Sequence, residues 1–371
     1  MKTLVTGGAG FIGSHVVDIL LDQGHDVRVF DSLVDQVHSG QGPRYVDQAA
    51  EFVAGDMRDR DAVVKALSGV DQVVHLAAEV GVGQSMYEIS RYIDANTAGT
   101  GILLDAIVNG GHPVSKIVVA SSMSIYGEGA YLCTEHGRVA PRLRTEAQLR
   151  DRQWEPVCPT CQLPLSAVGT DEDKPLYPSS VYAISKMDQE LLCLTVGPAY
   201  GIGVTAVRYF NGFGPRQALS NPYTGVAAIF SGRLLNGLAP FVNEDGAQMR
   251  DFIHVRDIAR ATVLALTAPR ADGHAVNVGV GDPISIAEVA TTLATALGVD
   301  IEPVITGKYR VGDIRHCWAD PTRAADLLGF VPEYRFRENG VQELIKWVRT
   351  QTAEDRVDVA RAELAKRGLA I

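Results

Sequence analysis

The sequence predicts an α/β protein: a doubly wound parallel sheet with helices on both faces and a smaller C-terminal lobe. Two observations carry this. Short runs rich in Val, Ile and Leu alternate with segments whose apolar residues recur at helical spacing through the first 209 residues. The first strand is joined to the first helix by a glycine-rich turn, Gly7-Gly8-Ala9-Gly10.

Leu4 to Thr6 reads as a buried strand. Phe11 to Leu21 reads as helix, because Ile12, Val16, Val17, Ile19 and Leu20 share one face. Between them Gly8, Gly10 and Gly13 form G-x-G-x-x-G in the strand–turn–helix setting that makes this pattern informative. Such glycines bring backbone N–H groups against a pyrophosphate, which the helix N-terminus then faces with its positive end. A second strand, Asp26 to Phe30, ends at Asp31, 18 residues after Gly13. An acid there accepts from an adenosine ribose 2′-OH and repels a 2′-phosphate, so the pattern favours NAD over NADP.

Farther along, Glu51 to Ala54 reads as a strand, Ala62 to Leu67 as helix and Asp71 to Leu76 as strand. Asp94 to Val108 reads as helix with Asn96 near its start, and Lys116 to Ser121 as a further buried strand. Residues 131–177 break the alternation with Pro, Gly, Arg and Cys, and read as an insertion. Tyr182 to Thr195 resumes as helix and Val204 to Tyr209 as strand. The expected organisation is a dinucleotide-binding domain over 1–210 and a substrate lobe over 211–350, interleaved with late strands of the sheet. A helical tail follows over 351–371, its charges forming a solvated face.

A formal charge of −10 argues against a nucleic-acid partner. There is no run of 18 apolar residues, and a first strand beginning at residue 2 leaves no room for a signal peptide, so a cytoplasmic protein without membrane contact is expected. Five cysteines, an odd count, argue against a disulfide framework; Cys193 and Cys317 read as core.

Tyr182 and Lys186 stand four apart and share a helix face. A phenol with an unperturbed pKa of ~10 is a poor base at neutral pH. A nearby ammonium, or a positive nicotinamide ring, favours the phenolate. Ser121, Ser122 and Ser124 follow directly on a predicted strand, which places their hydroxyls at the sheet's carboxyl edge.

With these motifs in place, the chain resembles the extended short-chain dehydrogenase/reductases of the nucleotide-sugar epimerase and dehydratase group. The matching stretches include Thr6–His15, Asp31, Gly55-Asp56-Met57, His75–Ala78, Asn96, Ser121–Gly127, Tyr182–Lys186, Arg208–Gly214, Arg250–Asp257 and Tyr309–Asp320. The resemblance implies a Rossmann domain in which Tyr182 is the base, Lys186 its modulator and Ser122 the hydroxyl partner. It implies that Gly7, Gly10, Phe11, Ile12, Asp31, Asp56, Met57, Leu76, Ala77, Ala78, Asn96, Ser121 and Phe210 line NAD, with Tyr182 and Lys186. It assigns Ser122, Ser124, Asn211, Arg250, Arg310 and Asp313 to the sugar nucleotide, a dTDP- or UDP-hexose. It also implies a homodimer formed through Asp94–Val108 and Tyr182–Thr195.

Dehydratases of this group carry an Asp-Glu pair where this chain has Met123 and Ser124, neither able to transfer protons at neutral pH. The resemblance therefore implies a 4-epimerase: transient oxidation at C4, rotation of the 4-keto sugar, and reduction on its other face. Ser121–Gly129 and the cysteine-bearing insertion resemble a narrower subgroup, the dTDP-L-rhamnose 4-epimerases. The alternatives are another epimerase, a decarboxylase or reductase acting on UDP-sugars, or a non-catalytic NAD-binding protein.

The insertion holds Cys133 and His136, then, after 21 intervening residues, Cys158 and Cys161. Two x₂-spaced pairs suit a structural tetrahedral Zn²⁺, and a segment poor in apolar residues needs such a staple.

Overall fold

The computed structural model describes residues 1–369, so Ala370 and Ile371 of the tail lie outside the described residues. The main sheet has seven parallel strands: β1 (Lys2–Thr6), β2 (Asp26–Asp31), β3 (Glu51–Ala54), β4 (Gln72–His75), β5 (Lys116–Ser122), β6 (Gly203–Tyr209) and β7 (His274–Val278). Their order is β7-β6-β5-β4-β1-β2-β3. The chain winds outward from β1 through β3, then crosses back to β4, so the winding reverses between β1 and β4 and opens a crevice at their carboxyl ends. All seven residues of β5 are buried, as expected for a strand covered on both faces.

Two apolar layers flank the sheet. On one face the helices Phe11–Asp22 and Val255–Thr267 pack together over Val5, Val29, Val118 and Val207. On the other, the helices Gly99–Gly110 and Val181–Ala199 cover Leu4, Val73, Ile117 and Val204. β7 and the helix Val255–Thr267 thus come from within the stretch read as the substrate lobe. A third core, around Phe213, Phe230, Phe252, Leu293 and Leu344, belongs to that later part of the chain. Cys193 and Cys317 are buried in the two sheet layers.

Most elements match the sequence reading, and three differ. The helix expected from Asp94 begins earlier, at Ile89, and passes through a wider, π-helical turn at Ile93–Ala98 before Gly99–Gly110. The insertion is not irregular: Ala130–Cys133, Gly137–Val139 and Ser166–Val168 form a small antiparallel sheet, with a helix at Glu146–Arg150. These strands are three or four residues long, too short for alternation to reveal them. The tail forms a helix at Val357–Lys366, but one face of it is not solvated, as described below.

Candidate active site

The crevice opens into a cavity of about 700 Å³ that runs from the glycine turn, past the ends of β4 and β5, to the later lobe. Its first part is shaped by glycine. Gly7 has φ +69°, and a Cβ there would lie 2.8 Å from Ala77 N. A Cβ on Gly13 would lie 2.2 Å from Gly7 O, so the helix can approach the turn this closely only with glycine. The helix Phe11–Asp22 has no side-chain cap, which leaves its first N–H groups free at the cavity wall. Asp31 is fixed by the backbone, accepting from Ala9 N at 3.0 Å and Leu33 N at 2.9 Å. Uncapped N–H groups, a glycine cradle and a fixed carboxylate at the end of β2 fit a dinucleotide.

Of the residues expected around the cofactor, all but Asn96 line this cavity. Asn96 is fully buried and behind the wall. Its Oδ1 accepts from Glu79 N at 2.7 Å, while its Nδ2 donates to Glu79 O at 3.0 Å and Ser185 Oγ at 2.9 Å. The expectation placed Asn96 against the cofactor; its side chain does not line the cavity and bonds the loop after β4. There it ties that loop to the helix bearing Tyr182.

Ser122, Tyr182 and Lys186 share the middle of the cavity. Ser122 Oγ accepts from Ser124 Oγ at 2.9 Å and Ser124 N at 3.2 Å. Burial raises the Tyr182 pKa, and a hydrogen bond with Ser122 opposes that rise. Burial pulls Lys186 down to about 7, against the influence of Cys193 and Glu190. Both shifts disfavour charge singly, so phenolate and ammonium stabilise each other most when formed together.

Lys186 Nζ donates to Gln189 Oε1 at 2.7 Å, and Gln189 Nε2 donates to Thr100 Oγ1 at 2.9 Å. Burial holds His75 at about 3, so it is neutral. Thr100 donates its own proton to Asn96 O at 2.6 Å. His75 Nε2 lies 2.9 Å from Thr100 Oγ1 and 3.2 Å from Gln189 Nε2, and its Nδ1 lies 2.7 Å from Thr6 Oγ1. This chain fixes the lysine from strand to helix. Gln189 was not singled out in the sequence, because its link to Thr100 spans 89 residues.

The substrate end is rich in unmet polar atoms. Ser121 Oγ, Asn211 Oδ1, Gln217 Oε1, Gln248 Oε1 and Arg361 Nη1 lie in residues lining the cavity, shielded from water and without a hydrogen-bond partner among the described residues. Buried polar atoms are seldom left so, and a polar ligand would satisfy them. Arg250 donates only to the carbonyls of Met249, Ile314 and Arg315, at 2.6–2.9 Å. Burial lowers its pKa, and among the described residues no carboxylate is in hydrogen-bond contact with it, which suits an incoming anion. Arg310 and Asp313 also line the cavity but bond to each other, Nε to Oδ2 at 2.8 Å. Arg361 and Leu364 of the tail line it as well, so one of the charges expected on a solvated face lies at the cavity wall. The 3–4 spacing of Val357, Ala360 and Leu364 was the available signal that this helix has an apolar face to cover.

A model of the NAD dependent epimerase/dehydratase family matches residues 3–143 and 159–279. The chain belongs to this family. A dTDP-L-rhamnose 4-epimerase from Burkholderia thailandensis is 36% identical over 350 residues, 94% of each chain. The UDP-glucose 4-epimerase of Thermotoga maritima, solved with UDP-glucose, superimposes with a TM-score of 0.77 at 30% identity, over 94% of this chain and 99% of that one. The Thermus thermophilus UDP-glucose 4-epimerase, solved with NAD, gives 0.75 at 30% identity, over 95% and 100%. The family and the enzyme class read from the motifs agree with these findings. The family match lapses over 144–158, inside the insertion.

Within this family member one buried ion pair secures the helix that bears Tyr182 and Lys186. Arg208, on β6, donates to both carboxylate oxygens of Glu190, at 2.6 and 3.0 Å, and through Nη1 to Tyr126 Oη at 2.8 Å. Glu190 is 1% and Arg208 5% exposed. Glu190→Gln leaves the guanidinium buried with its charge unpaired, and is expected to cost about 3–5 kcal/mol of stability in denaturant unfolding. A loss below 1 kcal/mol would contradict this role.

Proposed function

We propose that the protein is an NAD-dependent nucleotide-sugar 4-epimerase whose substrate pair is dTDP-L-rhamnose and dTDP-6-deoxy-L-talose. The observation that carries this reading is the set Ser122, Tyr182 and Lys186 beside the glycine cradle, with Met123 and Ser124 following Ser122 where a dehydratase would need a carboxylic acid and base. Bound NAD supplies the acceptor, and later the donor, of the C4 hydride. The chain's own residues handle the proton and the position. Tyr182 Oη takes the proton of the C4 hydroxyl and returns it on the other face, with Ser122 Oγ hydrogen-bonded to the same oxygen. Lys186 stabilises the phenolate, and Gln189 holds the lysine in place. Arg250 and Arg310 receive the diphosphate, leaving the sugar free to turn about its linkage.

The relative from Burkholderia thailandensis supports the dTDP assignment, and the UDP-glucose epimerase structures favour the second reading, a UDP-hexose 4-epimerase. A homodimer packed through the helix Val181–Ala199 suits its outer face, where Ile184 and Leu191, seven apart, are 40% and 47% exposed. A cytoplasmic location suits both soluble ligands, and no helix among the described residues is long and apolar enough to cross a membrane. The test is incubation with dTDP-, UDP-, GDP- and CDP-sugars without added NAD(H), the products resolved by NMR. Interconversion of the dTDP-6-deoxyhexose pair is expected. Conversion of UDP-hexoses alone would move the assignment to the second reading, and no inversion at C4 of any sugar would overturn both.

A further inference from the structure

The insertion folds around a point where four potential ligands meet. Cys133 ends the strand Ala130–Cys133, and His136 sits in the turn that leads into Gly137–Val139. Cys158 and Cys161 flank a second tight turn, in which Gln162 N donates to Cys158 O at 2.9 Å and Cys158 N to Leu163 O at 2.8 Å. One donor atom from each of the four lies within 4.8 Å of the others. Cys133 Sγ is 3.6 Å from both His136 Nδ1 and Cys161 Sγ, and Cys158 Sγ is 3.7 Å from His136 Nδ1. A tetrahedral Zn²⁺ with ordinary bond lengths sets its ligands ~3.8 Å apart for two sulfurs and ~3.6 Å for sulfur and nitrogen. A disulfide instead needs ~2.05 Å. The distances therefore fit a metal, and the three cysteines are unbridged.

The packing shows why a metal is needed. The buried core of the insertion is Tyr131, Cys133, Cys158 and Leu165, two of them cysteines, which is too little to order the 47 residues of 131–177. The insertion nevertheless makes demanding contacts. Glu155, three residues before Cys158, accepts from Arg315 Nε and Nη2, at 2.8 and 2.6 Å, and pairs with His316 Nε2 at 2.9 Å. Arg144 bonds both oxygens of Glu244 at 2.9 Å and donates to Asp313 O at 3.1 Å. These residues brace the segment that carries Arg310 and Asp313 at the substrate end of the cavity.

We propose that Cys133, His136, Cys158 and Cys161 bind a structural Zn²⁺, which closes the insertion and so holds the substrate wall of the cavity. With four protein ligands it has no open position and takes no part in the chemistry. The metal site rests on the geometry of the insertion, whichever sugar nucleotide is the substrate.

The experiment is metal analysis of the full chain as purified, with cobalt substitution. One zinc per chain is expected, and the Co²⁺ form should show thiolate-to-metal charge transfer and the visible bands of a tetrahedral site. Cys161→Ser should lose the metal and raise KM for the sugar nucleotide while keeping its NAD. His136→Cys, which restores a four-ligand set, should keep both metal and KM. Should Cys161→Ser fail to fold, His136→Ala at this exposed position gives the same readout, with metal affinity falling at least ~10-fold. Protein that is metal-free as purified, takes up no Co²⁺ and yet binds substrate normally would overturn the proposal, as would unchanged metal affinity in His136→Ala.

Discussion

Tyr182→Phe is expected to lower turnover by ~10²–10⁴-fold while leaving the fold and the bound NAD intact. The phenyl ring keeps its edge-on packing against Tyr92, with ring centres 6.4 Å apart. Ser122 keeps its hydrogen bonds from Ser124. What disappears is the one oxygen placed to exchange a proton with the sugar. The loss should therefore appear in kcat, with KM nearly unchanged, because the substrate's diphosphate contacts lie elsewhere. Steady-state kinetics on the true sugar nucleotide, with the NAD content of the same preparation, checks this. Turnover within a few-fold of the unsubstituted enzyme would remove Tyr182 from the reaction.

Gly13→Ala is expected to empty the cofactor site and to cost at least about 1–3 kcal/mol of stability. Its new Cβ would sit 2.2 Å from Gly7 O and 2.7 Å from Gly8 Cα. Both are backbone atoms of the turn that cradles the pyrophosphate, so no side-chain rotation relieves the clash. The helix must move away from β1, taking its free N–H groups off the phosphate path. Gly101→Ala is the control: it lies in the helix Gly99–Gly110 with nothing within 4 Å of the added carbon. That substitution should be neutral or stabilising by ~0.5–1 kcal/mol. Denaturant unfolding and the dinucleotide content of the two variants separate the local clash from a general effect of added methyl groups.

What the sequence could convey follows from the range of each interaction. Strands buried on both faces read as unbroken apolar runs, so β1, β2 and β5 were legible, and Gly13 and Asp31 stand at spacings that the crevice itself dictates. The Tyr182–Lys186 pair was legible because one helical turn separates its members. Residues whose partners lie far away in the chain were not. Gln189 reads as one more polar helix residue until it is seen bonding both Lys186 and Thr100. Asn96 was placed on the cofactor by the resemblance, whereas its amide bonds Glu79, 17 residues away, and Ser185, 89 residues away. Arg361 belongs to a charged tail, and only packing against the later lobe brings it over the Phe241 ring, 4.0 Å from its centre, at the cavity wall.

The central claim is that the sugar's own C4 hydrogen leaves and returns. It is tested most directly with substrate carrying deuterium at C4, turned over in ordinary water without added NAD(H). The account predicts a C4-inverted product that retains the label. Loss of the deuterium to solvent, or inversion with cleavage of the C4–O bond, would contradict it.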